Sequence, residues 1–267
     1  LAWKGFLATD HLQKFLLKSR PREKESGAAN RIYRHYLDET VRDIENGGKL
    51  LPEIVRDAFS SFVEIINHNG NHLPVVGVVG EIYIRNNRFS NNHLVEKLES
   101  LGVEVDLANL SEWIHYTTTT YKDDSLRRRS LRDLLDAYLQ DYFQKKDNRL
   151  ILRHIKQSLN GEIETPMSEQ LENAVPYLPI SVGGEAMPAI GKAIDMYKRG
   201  CSGIVNTLPF TCMPGNIINA ISSRVSEDNE GLPWLNIAYE GDSGENELVM
   251  LGAFVESVKA WGSANRK

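Results

Sequence analysis

The run Val75-Val76-Gly77-Val78-Val79-Gly80, set off by Pro74, constrains this chain more than any other feature. It holds no polar side chain, and four of its six residues are valine. Such a run suits a strand covered on both faces rather than one with a wet side. Strands of that kind belong to parallel sheets, whose neighbours are joined by crossovers, usually helices. The following residues supply one. Ser90 is placed to N-cap a helix with apolar positions Leu94, Val95, Leu98 and Leu101, and Gly102 to stop it. Val103-Glu104-Val105-Asp106-Leu107 then reads as a second strand, completing a βαβ unit.

The same rhythm returns near residue 180. Pro188 fits the first position of a helix and Gly200 the position just past its end. Ser202-Gly203-Ile204-Val205-Asn206-Thr207-Leu208 reads as a strand. Pro214 to Val225 reads as a helix with Ile217, Ile218, Ile221 and Val225 inward. Trp234-Leu235-Asn236-Ile237-Ala238-Tyr239 is the last strand, and residues 245–261 the last helix, with Leu248, Leu251, Gly252, Val255 and Val258 on one face. The fold expected is α/β, with an open, mainly parallel sheet of flavodoxin- or Rossmann-like type.

Two helical regions accompany it. Residues 1–73 are expected to form a helical N-terminal region packing on the core. Ile32, Tyr33, Tyr36, Leu37, Val41 and Ile44 follow one helical stripe; Ile54, Val55, Ala58, Phe59, Phe62, Val63 and Ile66 follow another, running from Pro52 to about Gly70. Asn46-Gly47-Gly48 marks the turn between them. Residues 111–175 read as a helical insertion. There, Leu131, Leu134, Leu135, Tyr138, Leu139, Tyr142 and Phe143 make a clean amphipathic stripe. Arg127-Arg128-Arg129 near its start reads as a solvated face rather than a phosphate site. The α/β domain is thus assigned to residues 74–110 and 176–267.

Bulk properties exclude some classes of function. Charged residues make up 25% of the chain and the net charge is −5, so no field points to nucleic acid or an anionic membrane as partner. No apolar run approaches the roughly 20 residues a bilayer span needs. The start, Leu1-Ala2-Trp3-Lys4-Gly5, lacks a signal-peptide pattern and an initiator Met, and a fragment of a larger protein is expected. Only Cys201 and Cys212 occur, too few for a disulfide framework, and a cytoplasmic setting fits.

Ligands of open parallel sheets lie beyond the carboxyl ends of the strands. Three loops qualify: Gly80, Glu81, Tyr83, Arg85 and Asn86 after the first strand; Pro209 to Asn216 after the third; and Tyr239, Glu240, Gly241 and Asp242 after the last. A flavodoxin-like strand order would bring Glu81 near Cys212. Glu81 is a candidate acid/base group, or a partner for Arg85 or for helix N–H groups. Cys212 sits just before a helix start, where backbone N–H groups and the helix dipole favour a thiolate. It could bind iron or zinc, act as a nucleophile, or be a small buried hydrophobe. Cys201 reads as buried. Gly183-Gly184-Glu185-Ala186-Met187-Pro188 is an anion-binding turn or a plain tight turn. No Cys-x-x-Cys, His-Glu-x-x-His, Gly-x-Gly-x-x-Gly, Gly-x-x-x-x-Gly-Lys or Gly-x-Ser-x-Gly occurs, and His68, His72, His93, His115 and His154 suggest no triad.

Several stretches resemble the 2-hydroxyacyl-CoA dehydratase family, specifically the dehydratase-like portion of large fused activases. They are Val78-Val79-Gly80-Glu81-Ile82-Tyr83-Ile84-Arg85 with Phe89-Ser90-Asn91; Glu112-Trp113-Ile114-x-Tyr116; Gly184-Glu185-Ala186; and Gly203-Ile204-Val205-Asn206 to Pro209-Phe210-Thr211-Cys212-Met213-Pro214-Gly215. Pro233-Trp234-Leu235-Asn236-Ile237-Ala238-Tyr239-Glu240 continues the likeness, which runs from about Trp3 to Phe254. The resemblance implies a role in ATP-dependent electron transfer, in which an iron–sulfur cluster receives an electron that permits dehydration of a 2-hydroxyacyl-CoA. It implies Cys212 as one cluster ligand, with Gly80, Thr211 and Gly215 as further cofactor-binding positions. It offers no counterpart for the other ligand cysteines or for the glycine-rich phosphate motifs of the ATPase. The implied partners are an ATPase module of the same polypeptide or a dehydratase, with acyl-CoA as a further candidate. Two readings compete: a redox domain that lends Cys212 to a cluster, and a docking or scaffold domain that keeps the fold without one. A third, cysteine-dependent acyl transfer, needs a His or Glu base beside Cys212.

Overall fold

The computed structural model describes residues 1–68, 72–155, 165–240 and 246–265. Contacts divide the chain into two compact units. One joins Leu1–Gly70 to Asn109–Met167; the other joins Asn71–Ala108 to Ser168–Lys267. The N-terminal helices and the insertion, far apart in sequence, therefore share one unit.

The α/β unit is built on four strands, β1 (Val75–Gly80), β2 (Glu104–Leu107), β3 (Gly203–Pro209) and β4 (Trp234–Tyr239). All pair in parallel, in the order β2-β1-β3-β4. This is the order in which flavodoxin-like sheets arrange their first four strands. The apolar runs are covered as their composition requires: Val76, Val78, Val79, Ile204 and Val205 are fully buried. Two glycines show how closely helices approach the sheet. A Cβ on Gly77 would meet Met196 Sδ at 2.6 Å, and one on Gly203 would meet Val258 Cγ2 at 2.5 Å. Those two contacts come from α9 (Ala186–Lys198) and α11 (Glu247–Asn265). The unit is completed by α4 (Ile82–Asn86), α5 (Leu94–Ser100), α8 (Met167–Ala174) and α10 (Met213–Asp228).

Some helix boundaries and faces differ from the sequence reading. Ser90 does not cap α5. That helix starts at Leu94, after His93 in a left-handed conformation, and the nearby buried side chain is Asn91, whose Oδ1 accepts from Leu94 N–H at 3.3 Å. Pro188 is the third residue of α9 rather than the first, still within the turn whose N–H groups have no helical acceptor. Leu248 is 54% exposed, whereas Leu251, Val255 and Val258 are buried as expected. Residues 241–245, including Gly241 and Asp242 of the third candidate loop, lie outside the described residues, as does Gly70.

The helical unit contains α1 (Ala2–Ser19), α2 (Ala28–Glu45), α3 (Leu51–Ile65), α6 (Leu110–Arg128) and α7 (Leu131–Ile151). Its core gathers Leu7, Leu12, Phe15 and Leu16 from α1 with Ala29, Leu51, Val55, Phe62, Ile151 and Ile155. The helix begun near Pro52 ends at Ile65. Asp10, buried in α1, accepts a 2.8 Å hydrogen bond from the Ser111 N–H in the first turn of α6, a cap supplied from a distant segment.

The stripe on α7 behaves differently from its pattern. Leu131, Leu135, Tyr138, Leu139, Tyr142 and Phe143 are all exposed. α7 packs on α6 through small and polar groups instead. Ala137 is fully buried, Gln144 donates to Thr118 at 2.8 Å, and Lys122 pairs with Asp141 at 2.8 Å. Arg127, Arg128 and Arg129 are exposed, as their charge predicts.

Candidate functional site

The loops after β1 and β3 meet at the carboxyl edge of the sheet. Gly80 pairs with Thr207 in register, and the Glu81 N–H donates to the Thr207 carbonyl at 2.8 Å. Gly80 adopts φ +112°, and a Cβ there would lie 2.1 Å from the Thr207 carbonyl oxygen. Only glycine satisfies both the angle and the space. Glu81 N-caps α4: its carboxylate accepts from the Ile84 N–H at 2.7 Å. Of the roles considered for Glu81, binding to helix N–H groups is thus the one visible in its contacts. Arg85 turns back into the edge, where its Nη1 donates to the Gly80 carbonyl at 2.9 Å.

The loop beyond α4 is held by asparagines. Buried Asn91 donates to the carbonyls of Ile84 at 2.9 Å and Arg85 at 3.2 Å. Asn87 accepts from the N–H groups of Phe89 and Ser90 and donates to the Tyr83 hydroxyl. This frame presents Tyr83 and Phe89 to solvent, at 60% and 91% exposure.

The β3–α10 turn contains the sequence's favoured thiol. Phe210 N–H donates to the Tyr239 carbonyl, and Cys212 N–H to the Pro209 carbonyl, both at 3.0 Å. Thr211 is exposed and left-handed, with φ 67°, an uncommon conformation for a β-branched residue. Cys212 occupies the N-cap of α10, half-buried, and its side chain makes no capping hydrogen bond. Phe210 and Met213 flank it at 60% and 70% exposure. Gly215 is buried, and a Cβ there would press on Leu208 at 2.6 Å. Its lack of a side chain lets α10 lie close on β3, a packing role distinct from contact with a cofactor.

A third segment joins these two. Gly183 and Gly184 are both left-handed, and a Cβ on Gly184 would lie 3.5 Å from Pro214 in α10. The next residue, Glu185, reaches the other loop and accepts a hydrogen bond from the Ile82 N–H. Burial first, and then the neighbouring Glu81 charge, raise the Glu185 carboxyl above its ordinary pKa, opposed by the Ile82 hydrogen bond and Arg85. The edge therefore holds two carboxylates in one electrostatic neighbourhood, with the Glu185 carboxyl the one held above its ordinary range.

The two cysteines do not meet. Cys201 precedes β3 and Cys212 follows it, and β3 alone spans roughly 20 Å at the rise of a parallel strand. Cys201 is 4% exposed, and burial pushes its thiol well above the usual range. It is the small buried hydrophobe its context suggests. Among the described residues no group of three or more His, Cys, Asp or Glu is arranged to hold a metal ion. An iron–sulfur cluster with several cysteine ligands does not fit the residues described in this chain. No helix among the described residues is long and apolar enough to cross a membrane.

Residues that sequence reasoning passed over support the edge from beneath. Asn206, fully buried in β3, donates to Asn236 at 2.9 Å, and Asn236 donates to Ser222 at 3.0 Å. An asparagine inside the run Ile204-Val205-Asn206-Thr207 was the available signal, since a polar residue in a buried strand requires a partner. Glu185 was singled out only as part of a candidate turn, and its closeness to Glu81 had no local signal because the fold creates it. No family model matches the chain, and neither does any curated protein or solved structure.

Proposed function

We propose that this chain is a docking or scaffold domain of a 2-hydroxyacyl-CoA dehydratase activase-like protein, keeping the α/β fold without assembling a cluster of its own. The observation that carries this reading is the placement of the cysteines at opposite ends of β3, which leaves Cys212 as the only thiol at the carboxyl edge. The loops at the carboxyl edge suit contact with a partner. Tyr83, Phe89, Phe210 and Met213 project from the edge loops, the aromatic and methionine composition typical of protein contacts. The partner in this reading is the ATPase module of a fused polypeptide, or a dehydratase, with acyl-CoA as a further candidate ligand.

A second reading rests on Cys212 itself. Its half-exposed thiol at a helix start is placed to complete a cluster whose other ligands come from the partner. The cluster would supply one-electron transfer; this chain's share would be a single ligand and the apolar surface around it.

Anaerobic reconstitution with iron and sulfide tests both. The 267-residue chain alone is expected to give no stoichiometric cluster by absorption or electron paramagnetic resonance; a full signal would overturn the docking reading. In the longer fused protein that the resemblance implies, Cys212→Ser is expected to leave the cluster signal unchanged if the domain only docks, and to alter it if Cys212 is a ligand.

A further inference from the structure

We infer that the groove between α1, α6 and α7 binds a small neutral molecule carrying a carboxamide or hydroxyl group on an apolar ring. The inference is independent of the proposed function and concerns the helical unit alone. The groove measures about 570 Å³, and its walls include Trp3 and Phe6 of α1, Ile114 of α6, and Leu139, Phe143 and Gln144 of α7. Sites for small molecules span roughly 300–1,000 Å³ and combine apolar walls with a few polar groups. This groove has that size and that composition.

Two polar atoms of the lining residues decide the chemistry of the ligand. Trp3 Nε1 and Gln144 Oε1 are both buried, and neither has a hydrogen-bond partner among the described residues. The orientation of the Gln144 carboxamide follows from its neighbour. Thr118 gives its hydroxyl proton to the Ile114 carbonyl at 3.1 Å, so it accepts from Gln144 Nε2 at 2.8 Å, and the oxygen is the end left over. An indole N–H only donates and a carboxamide oxygen only accepts. Buried polar groups in that state are uncommon, because each forfeits a bond it had with water. A ligand group that accepts and donates at once serves both: its oxygen takes the Trp3 N–H, and its own N–H or O–H goes to Gln144. A carboxamide or hydroxyl does this, whereas a ketone only accepts and an ammonium only donates. Entry of the ring past Phe6, Leu139 and Phe143, which are 41%, 48% and 54% exposed, is the step that opens the two atoms to the ligand. Charge sets a further limit. Asp136 and Asp147 also line the groove; Asp136 accepts from Gln140 at 3.1 Å, and Asp147 pairs with Lys4 at 3.7 Å. Their charge disfavours a carboxylate ligand, and their existing partners leave the Trp3 and Gln144 atoms as the specific contacts.

Ligand-observed nuclear magnetic resonance titrations of the 267-residue chain test the inference. The probes are benzamide, benzyl alcohol, acetophenone, benzoate and benzylammonium, which share a phenyl ring and differ in the polar group. Benzamide and benzyl alcohol are expected to bind saturably, with acetophenone roughly fivefold weaker for want of the bond to Gln144. Benzoate is expected to bind more weakly still. Trp3→Phe keeps a ring and removes the N–H, and is expected to weaken benzamide roughly fivefold. Leu139→Trp fills the groove from an exposed position and is expected to abolish binding while keeping the wild-type far-ultraviolet circular dichroism. No saturable binding of benzamide overturns the inference. So does acetophenone binding as tightly as benzamide, or benzamide binding that survives Leu139→Trp. Benzylammonium binding more tightly than benzamide overturns it too, by assigning the groove to its carboxylates. If Trp3→Phe loses its fold, Gln144→Met replaces it. Acetophenone binding is then expected to stay unchanged and benzamide binding to fall to the same level; benzamide keeping its advantage overturns the assignment of Gln144.

Discussion

Glu81 and Glu185 share the carboxyl edge of the sheet, the first capping α4 and the second accepting a hydrogen bond from the Ile82 N–H in the same turn. Burial and the Glu81 charge raise the pKa of Glu185 from its ordinary value of 4.5. Above that value the unfolded chain has lost a proton that the folded chain still holds. The contribution of this carboxyl to stability is therefore complete below the unfolded pKa and is lost as pH rises through the folded pKa. Glu185→Gln keeps an acceptor for the Ile82 N–H and cannot ionise. It is expected to melt at a higher temperature than the wild type at neutral pH, with the difference closing as pH falls toward the unfolded value. A difference independent of pH would show that Glu185 is not coupled to its surroundings in this way.

Gly80→Ala is expected to be severely destabilising, by about 3–5 kcal/mol, because it combines a positive φ with backbone overlap. The added methyl would sit 2.1 Å from the Thr207 carbonyl oxygen and 2.7 Å from Asn206 Oδ1. Urea denaturation measures the loss. Gly102→Ala provides the control: it also has positive φ, at +87°, but open space around it, so its loss is expected to be about 1 kcal/mol.

The two thiols are expected to react at different stages of unfolding. Cys212 is half-exposed, while Cys201 is 4% exposed with its thiol raised by burial. A thiol reagent at neutral pH should label one cysteine in the folded chain and the second only in denaturant. Peptide mass mapping should place the first label on Cys212. Equal early labelling of both would mean that the start of β3 opens readily.

Glu247 joins three elements of the α/β unit. One oxygen accepts from Lys97 at 2.6 Å and from Asn92 at 2.8 Å, and the other from the Tyr239 hydroxyl at 3.0 Å. Burial, followed by the Glu247 charge, keeps the Tyr239 phenol above its ordinary range. Glu247→Ala strands three donors at once and is expected to cost about 2–4 kcal/mol in chemical denaturation. Tyr239→Phe in the same background should then add little, because the two losses share one network.

Much of the α/β unit could be read from local pattern. β4 occupies the span its apolar run indicated, and β1 is the valine run itself. Those strands are covered on both faces, so composition alone identified them. The stripe on α7 showed the opposite limit. Its spacing identified the helix but not the occupant of its apolar side, because α6 presents Thr118 and Lys122 to the other side. Ser90 was a plausible cap by residue type, yet the chain turns left-handed at Asn92 and His93, and Asn91 takes the buried position. At the edge, Glu81 and Cys212 were found by their place after strands. Glu185 was legible only as part of a turn, because its proximity to Glu81 depends on where the fold brings the starts of α4 and α9, and the Asn206–Asn236 pair forms only when β3 and β4 are in register.

The position of β3 between its two cysteines also determines what oxidation can do. Neither thiol can reach the other in the folded chain, so an internal crosslink would require the sheet to come apart. To a mild oxidant the native protein is a one-thiol molecule. Its only disulfides are bridges to other molecules, made through Cys212 and reversed by reductant without disturbing the fold.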